Sequence, residues 1–253
     1  IKKTLLTVLI FFCMSCLHAI DSLQERFSHA KQGDFIVTVQ EGHYSVLFIR
    51  SLKSTTLLLE EITVPLQQID LKNTRWKDWI QKKAPGHTSW TLYEIDLSSG
   101  HLIECFSFSK NGWLHLDQSE QILTRLLTLP LSLVPLEERK KIGLSSSGEE
   151  DHRALWNPPL VIEGEKKAKA EFTVFKTLWP DDGSQLASSR VEFYFSKELP
   201  QFPFPFWVEV KSAHYAFKMR SIDSGESLSS PFSGSMPHRH PQITAPGKRG
   251  RLT

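Results

Sequence analysis

The chain has 253 residues, of which 40% are hydrophobic and 23% charged, with a formal net charge of +2. This composition supports a sizeable core and excludes a highly charged, disordered chain. The basic excess sits at the two ends, in Lys2 and Lys3 and in Arg239, Lys248, Arg249 and Arg251, so the middle carries no basic patch and no nucleic-acid partner is expected.

Lys2 and Lys3, the apolar run 5–14 and the small residues after it have the layout of a secretory signal. The run falls short of the about 20 apolar residues that span a bilayer, so no transmembrane span is expected in the mature chain. Two exits compete. Cys16 in Met14-Ser15-Cys16 fits cleavage and lipidation as in a bacterial lipoprotein, although Cys13 stands where leucine is usual; Ala19 fits ordinary signal peptidase, although Leu17 is bulky for its position. Both stay open, with Cys16 preferred as the lipidation site. Residues 1–19 therefore read as a signal peptide, 20–223 as a single β-rich domain and 224–253 as a disordered tail of Ser, Pro, His and basic residues. The expected address is the periplasm, or a lipid anchor on the periplasmic side of a membrane. Cys105 is then the one cysteine of the domain, with no internal disulfide available, and reads as a small hydrophobe on a strand.

In chain order, Ser22 or Asp21 caps a short helix with Leu23, Phe27 and Ala30 on one face, ended by Gly33. Strands are predicted over 34–40, 43–52 and 55–64. The second puts Tyr44, Val46 and Phe48 on one face and Leu47 and Ile49 on the other, and the third is also apolar on both sides, so both faces should be covered. Residues 74–83 predict a helix with Trp76, Trp79 and Ile80 on one side. A hairpin follows, 89–97 and 101–108. A three-residue loop would set Glu94 opposite Glu104, whereas a two-residue Ser99-Gly100 turn pairs Leu97 with Leu102 and Tyr93 with Phe106; like charges opposed on a sheet are destabilising, which favours the second register.

From Asp117 the period becomes helical, with Ile122, Leu123, Leu126 and Leu127 on one face, Asp117 and Glu120 as a capping pair and Pro130 as the stop. A second short helix is predicted over 136–143, then an exposed loop over 144–154. Strands resume at 158–163, 169–178, 188–196, 205–211 and 213–222, with an Asp181-Asp182-Gly183 turn among them. The segment FPFPFW, residues 202–207, has two readings. It is either an apolar rim or partner ligand, or a crossover in which Pro203 and Pro205 interrupt ladder bonding while Phe204, Phe206 and Trp207 pack as core.

No glycine-rich phosphate loop, nucleophile elbow, His-Glu-x-x-His or paired Cys-x-x-Cys is present. His87 and Ser89 with Glu94 or Asp96 offer a conceivable hydrolase set, Asp181 and Asp182 a cation pair, and His238 and His240 a chelating tail; turn chemistry and chance account for each at least as well. No cofactor, no metal site and no catalysis are expected.

The fold class expected is mainly β with inserted helices: a curved antiparallel sheet or incomplete β-barrel with helices on its concave side. The two-faced strands 43–52 and 55–64, Trp76, Trp79 and the 122–127 helix give a layout that resembles the bacterial outer-membrane lipoprotein-sorting factors of the LolA/LolB group. It is also similar to uncharacterised exported proteins of chlamydia-like bacteria. The first resemblance implies an apolar cavity for lipoprotein acyl chains. The candidate ligand-binding residues are Tyr44, Val46, Phe48, Trp76, Trp79, Phe204, Phe206 and Trp207, and the expected partners a lipid or lipoprotein, with the membrane met through the anchor. The alternatives are a structural envelope lipoprotein or protein-interaction module without a ligand, and a hydrolase of unknown class.

Overall fold

Each strand predicted from alternation forms in the computed structural model, which describes residues 22–114, 117–143, 151–212 and 216–232, with backbone alone for 117–122. The signal segment with Cys16, the part of the exposed loop over 144–150, and tail residues 233–253 with His238 and His240 lie outside the described residues. One half of the fold holds β1 (Phe35–Gln40), β2 (His43–Lys53), β3 (Thr56–Pro65), β4 (Ser89–Asp96), β5 (His101–Ser107) and the two-residue β6 (Gly112–Trp113). The other holds β7 (Ser132–Leu133), β10 (Phe172–Leu178), β11 (Arg190–Ser196), β12 (Trp207–Lys211) and β13 (Ala216–Gly225), while β8 (Leu160–Ile162) and β9 (Glu165–Lys167) make a separate hairpin.

Eleven of these strands form one antiparallel sheet in the order β6-β5-β4-β3-β2-β1-β13-β12-β11-β10-β7. The short end strands β6 and β7 are not paired with each other, so the sheet is open. Its two meanders are stitched together by β1 and β13. Phe35 lies opposite Gly225, and a Cβ there would meet the Phe35 ring at 2.6 Å, so the seam requires glycine.

Among the described residues three α-helices join the sheet: α1 (Leu23–Ser28), α2 (Trp76–Gln81) and α3 (Asp117–Thr128). Ser22 caps α1 by accepting from the Glu25 N–H at 3.2 Å. Alternation along β1 to β3 splits the core in two. Ile36, Ile49, Leu57 and Leu59 face a cluster with Leu23 and Phe27 of α1 and Leu127 of α3. Phe35, Val37, Val46, Phe48, Ile62 and Val64 face a second cluster with Trp76, Trp79 and Ile80 of α2. The helices are therefore divided between the two faces, and the expectation that both faces are covered holds.

Four expectations are corrected. The 136–143 helix is only a 3-10 turn, Leu136–Glu138, because Lys141 turns aside to bridge Leu155. The hairpin adopts the disfavoured pairing, with Glu94 opposite Glu104. A four-residue loop, 97–100, replaces the two-residue turn. It is held by Asp96, whose carboxylate accepts from the Ser98 N–H at 2.9 Å and from the Ser98 and Ser99 hydroxyls, and Ile103 bulges outward, 51% exposed. Third, β13 runs on to Gly225, beyond the strand end expected at 222. Fourth, the chain packs on as far as Phe232: Leu228 joins the second cluster, and Phe232 stacks on Phe108 at 4.3 Å.

Candidate functional site

The β2–β3 hairpin turns at Ser54, whose φ of +54° is a strained left-handed conformation for a non-glycine residue. Just before it, the register shifts between Ile49 and Ser51, so Arg50 is an extra residue in β2. A bulge of this kind inverts the alternation. Ser51 and Lys53 consequently lie opposite Leu58 and Thr56, on the sheet face of the second cluster, while Leu52 turns to the first.

On that face the segment 228–232 crosses the strands beside an open cleft of about 710 Å³. Leu58, Leu228 and Phe232 give it an apolar wall, and Arg50, Lys53 and Glu94 its charges. This volume is in the range of small-molecule sites, about 300–1,000 Å³.

Beneath the wall lies a buried polar network. Arg50 Nη1 donates to Glu60 Oε1 at 2.7 Å, Trp90 Nε1 to Glu60 Oε2 at 2.7 Å and Ser230 Oγ to the same oxygen at 3.2 Å. Arg50 Nη2 also donates to the Phe232 carbonyl at 3.0 Å, so the network ties the C-terminal segment to the sheet. Glu60 is fully buried, and burial pushes its carboxyl above the usual range against the opposing pull of Trp90 and Arg50. Glu94 is raised as well, first by desolvation and then by Glu104 across the ladder. Lys53 is exposed and has no ion-pair partner among the described residues.

The residues nominated from the sequence fall elsewhere. Tyr44, Val46, Phe48, Trp76 and Trp79 are buried in the second cluster, Tyr44 to Trp76 and Trp76 to Trp79 each 5.6 Å between ring centroids. Phe204 and Phe206 are buried in the first cluster, with Phe27 edge-on to Phe204 at 5.4 Å, and Trp207 packs on Trp156 at 5.0 Å. The FPFPFW segment is thus core and crossover, not a rim. The nominated set is divided between two cores and does not line one site.

The imagined hydrolase set does not converge. Ser89 and Asp96 occupy opposite ends of β4, about 23 Å apart at the usual strand rise. His87 Nδ1 is engaged by the Ala84 carbonyl at 2.8 Å, and Asp96 holds its own turn. Asp182 accepts from Trp179 Nε1 at 3.0 Å and the Ser184 N–H at 3.0 Å and pairs with Arg125, which is turn and tether chemistry. Cys105 is buried, and burial pushes its thiol up to about 12, away from nucleophilic use. Among the described residues no helix is long and apolar enough to cross a membrane.

The cleft was hidden from the sequence by the bulge at Arg50 and by the distance in sequence between β2 and the 228–232 segment. The one available signal was Leu228 and Phe232, two apolar residues four apart in an otherwise polar stretch.

No curated protein matches the chain. A protein-family model described as CT021 protein matches residues 45–168, slightly under half of the chain. The structure is similar to the 2.0 Å structure of the hypothetical protein CT021 from Chlamydia trachomatis, with a TM-score of 0.62 and 19% sequence identity, covering 86% of this chain and 98% of that one. At that identity the likeness is one of fold. The chain is thus similar to the CT021 protein family over residues 45–168 and shares, over most of its length, the open β-rich fold of the chlamydial protein.

Proposed function

We propose that this is an exported envelope protein, anchored through a lipidated Cys16, that binds an amphiphile such as a lipid or lipoprotein acyl chain and performs no chemistry. The observation that carries the proposal is the open cleft beside Phe232, with an apolar wall of Leu58, Leu228 and Phe232 and the cation of Lys53, which has no ion-pair partner among the described residues, in its lining. An acyl chain suits the wall, and an anionic head suits the mouth. The proposal departs from the lipoprotein-sorting layout, in which the chains would lie beneath the helices of an incomplete barrel. Here the helix-covered faces are filled by the chain's own side chains.

The test is titration of the full chain with a fluorescent fatty acid, beside the variant Leu58→Trp, which sets a larger ring into the apolar wall of the cleft. Saturable binding lost in the variant supports the proposal, and absence of binding in the wild type removes it. The two filled faces favour a second reading, a structural or protein-interaction module. Chemical cross-linking in the native envelope that captures a specific protein partner, with no lipid bound, would select it.

A further inference from the structure

Arg26 is the last basic residue of α1 and is only 5% exposed, yet no carboxylate pairs with it among the described residues. Its guanidinium carbon lies 3.8 Å from the centroid of the Phe195 ring, and its Nε donates to the Phe202 carbonyl at 2.9 Å. Neither terminal nitrogen has a hydrogen-bond partner among the described residues, and the side chain lines a cavity of about 420 Å³ between α1, β10 and β11.

A buried, unpaired guanidinium is costly, and guanidinium forks match the geometry of carboxylate and phosphate oxygens. One aromatic face and one carbonyl offset part of that cost. Burial draws the group down to about 10, and it stays charged at neutral pH. The rest of the cavity is suited to holding a counter-charge. Lys197 lines the rim and pairs with Glu171 at 3.0 Å; Glu25 of α1 and His29, which follows it, line the cavity as well, and Phe175 and Pro200 supply apolar wall. The volume exceeds what a bare oxyanion fills.

We infer that the cavity above Arg26 is a binding site for a small organic anion, a carboxylate or phosphate group carried on an apolar body, with Arg26 as its anchoring cation. The site shares no lining residue with the cleft of the proposed function and stands independently of it.

The experiment is calorimetric titration of the full chain with benzoate, phenyl phosphate and inorganic phosphate. Saturable binding of benzoate or phenyl phosphate is expected, tighter than inorganic phosphate. The preference between the two organic probes identifies the head group, and tight binding of inorganic phosphate alone overturns the apolar-body part. The variant Arg26→Met should weaken binding by at least about tenfold, the loss typical of a charged hydrogen-bond partner. Lys197→Gln, at the exposed rim, should weaken it by about twofold and only at low salt. Arg26→Met also removes the contact with the Phe195 ring and the bond to the Phe202 carbonyl, so its thermal melt is read beside wild type to establish that the variant is folded. No binding by any probe, or equal binding by wild type and both variants, overturns the inference. If Arg26→Met does not fold, the wild-type titrations and Lys197→Gln still decide it.

Discussion

Trp90 donates its indole N–H to the fully buried carboxylate of Glu60 at 2.7 Å, joining β4 to the Arg50–Glu60 pair beneath the cleft. Trp90→Phe keeps most of the packing with Phe232, 4.8 Å away, and removes the donor. The loss should be about 2 kcal/mol, as for a hydrogen bond to a charged group. It should also depend on pH. Burial raises the Glu60 carboxyl in the fold and Trp90 opposes that rise, so the variant titrates higher. A folded pKa above the unfolded one means stability falls as pH rises through the window between them. Urea unfolding from pH 4 to pH 8 should show the gap between variant and wild type widening as pH rises.

Glu94 and Glu104 oppose each other across β4 and β5, and desolvation together with that like charge raises the Glu94 carboxyl. Glu94→Gln should therefore stabilise the protein by about 0.5 kcal/mol at neutral pH, the scale of one unfavourable cross-strand pair. Wild-type stability should decline as pH climbs just above the ordinary carboxylate range, and the variant should lack the share of that decline due to Glu94, keeping the share due to Glu60. The two curves should converge in acid, where Glu94 is protonated in both states; thermal melts across pH measure this.

Gly33 has φ +88°, and a Cβ there would meet Ser227 Cα at 2.8 Å. Its carbonyl accepts from the Leu228 N–H at 3.0 Å, which clamps the start of the C-terminal segment. Gly33→Ala should cost at least about 1–2 kcal/mol from the left-handed backbone alone. Hydrogen exchange at Leu228 should accelerate far more than at Val46 or Phe48 in the core.

Asp182 is held down to about 2, chiefly by Ser184 and then by Trp179 and Arg125. With the folded value below the unfolded value of about 3.9, its contribution is present at neutral pH and lost as pH falls through that interval. Asp182→Asn should begin less stable and show a flatter acid limb. It should also loosen α3, which Arg125 ties to the β10–β11 turn through Asp182; faster exchange at Leu129, whose N–H bonds Arg125, would report this.

Alternation made the long strands legible, and Trp76, Trp79 and Ile80 at helical spacing made α2 legible, because both depend on local period alone. The bulges at Arg50 and Ile103 were not, since one extra residue inverts every later side chain without disturbing the composition around it. Glu94 and Glu104 are opposed nonetheless because three donors to Asp96 in the loop, the Ser98 N–H and the Ser98 and Ser99 hydroxyls, and the burial of Ile95 and Leu102 in the core outweigh one like-charge pair. Leu228 and Phe232 were hidden by serines and a proline. The Arg26 site was invisible for another reason: that no carboxylate pairs with Arg26 among the described residues is a property of the packed fold, and no sequence pattern carries it.

If the cleft bounded by Leu58, Leu228 and Phe232 holds an amphiphile, the ligand should leave the envelope with the protein. The most direct measurement is native mass spectrometry of the full chain taken from an envelope, wild type beside Leu58→Trp. One bound lipid or acyl chain per wild-type molecule is expected, and none on the variant. A ligand-free wild type, or a ligand retained by Leu58→Trp, would contradict it.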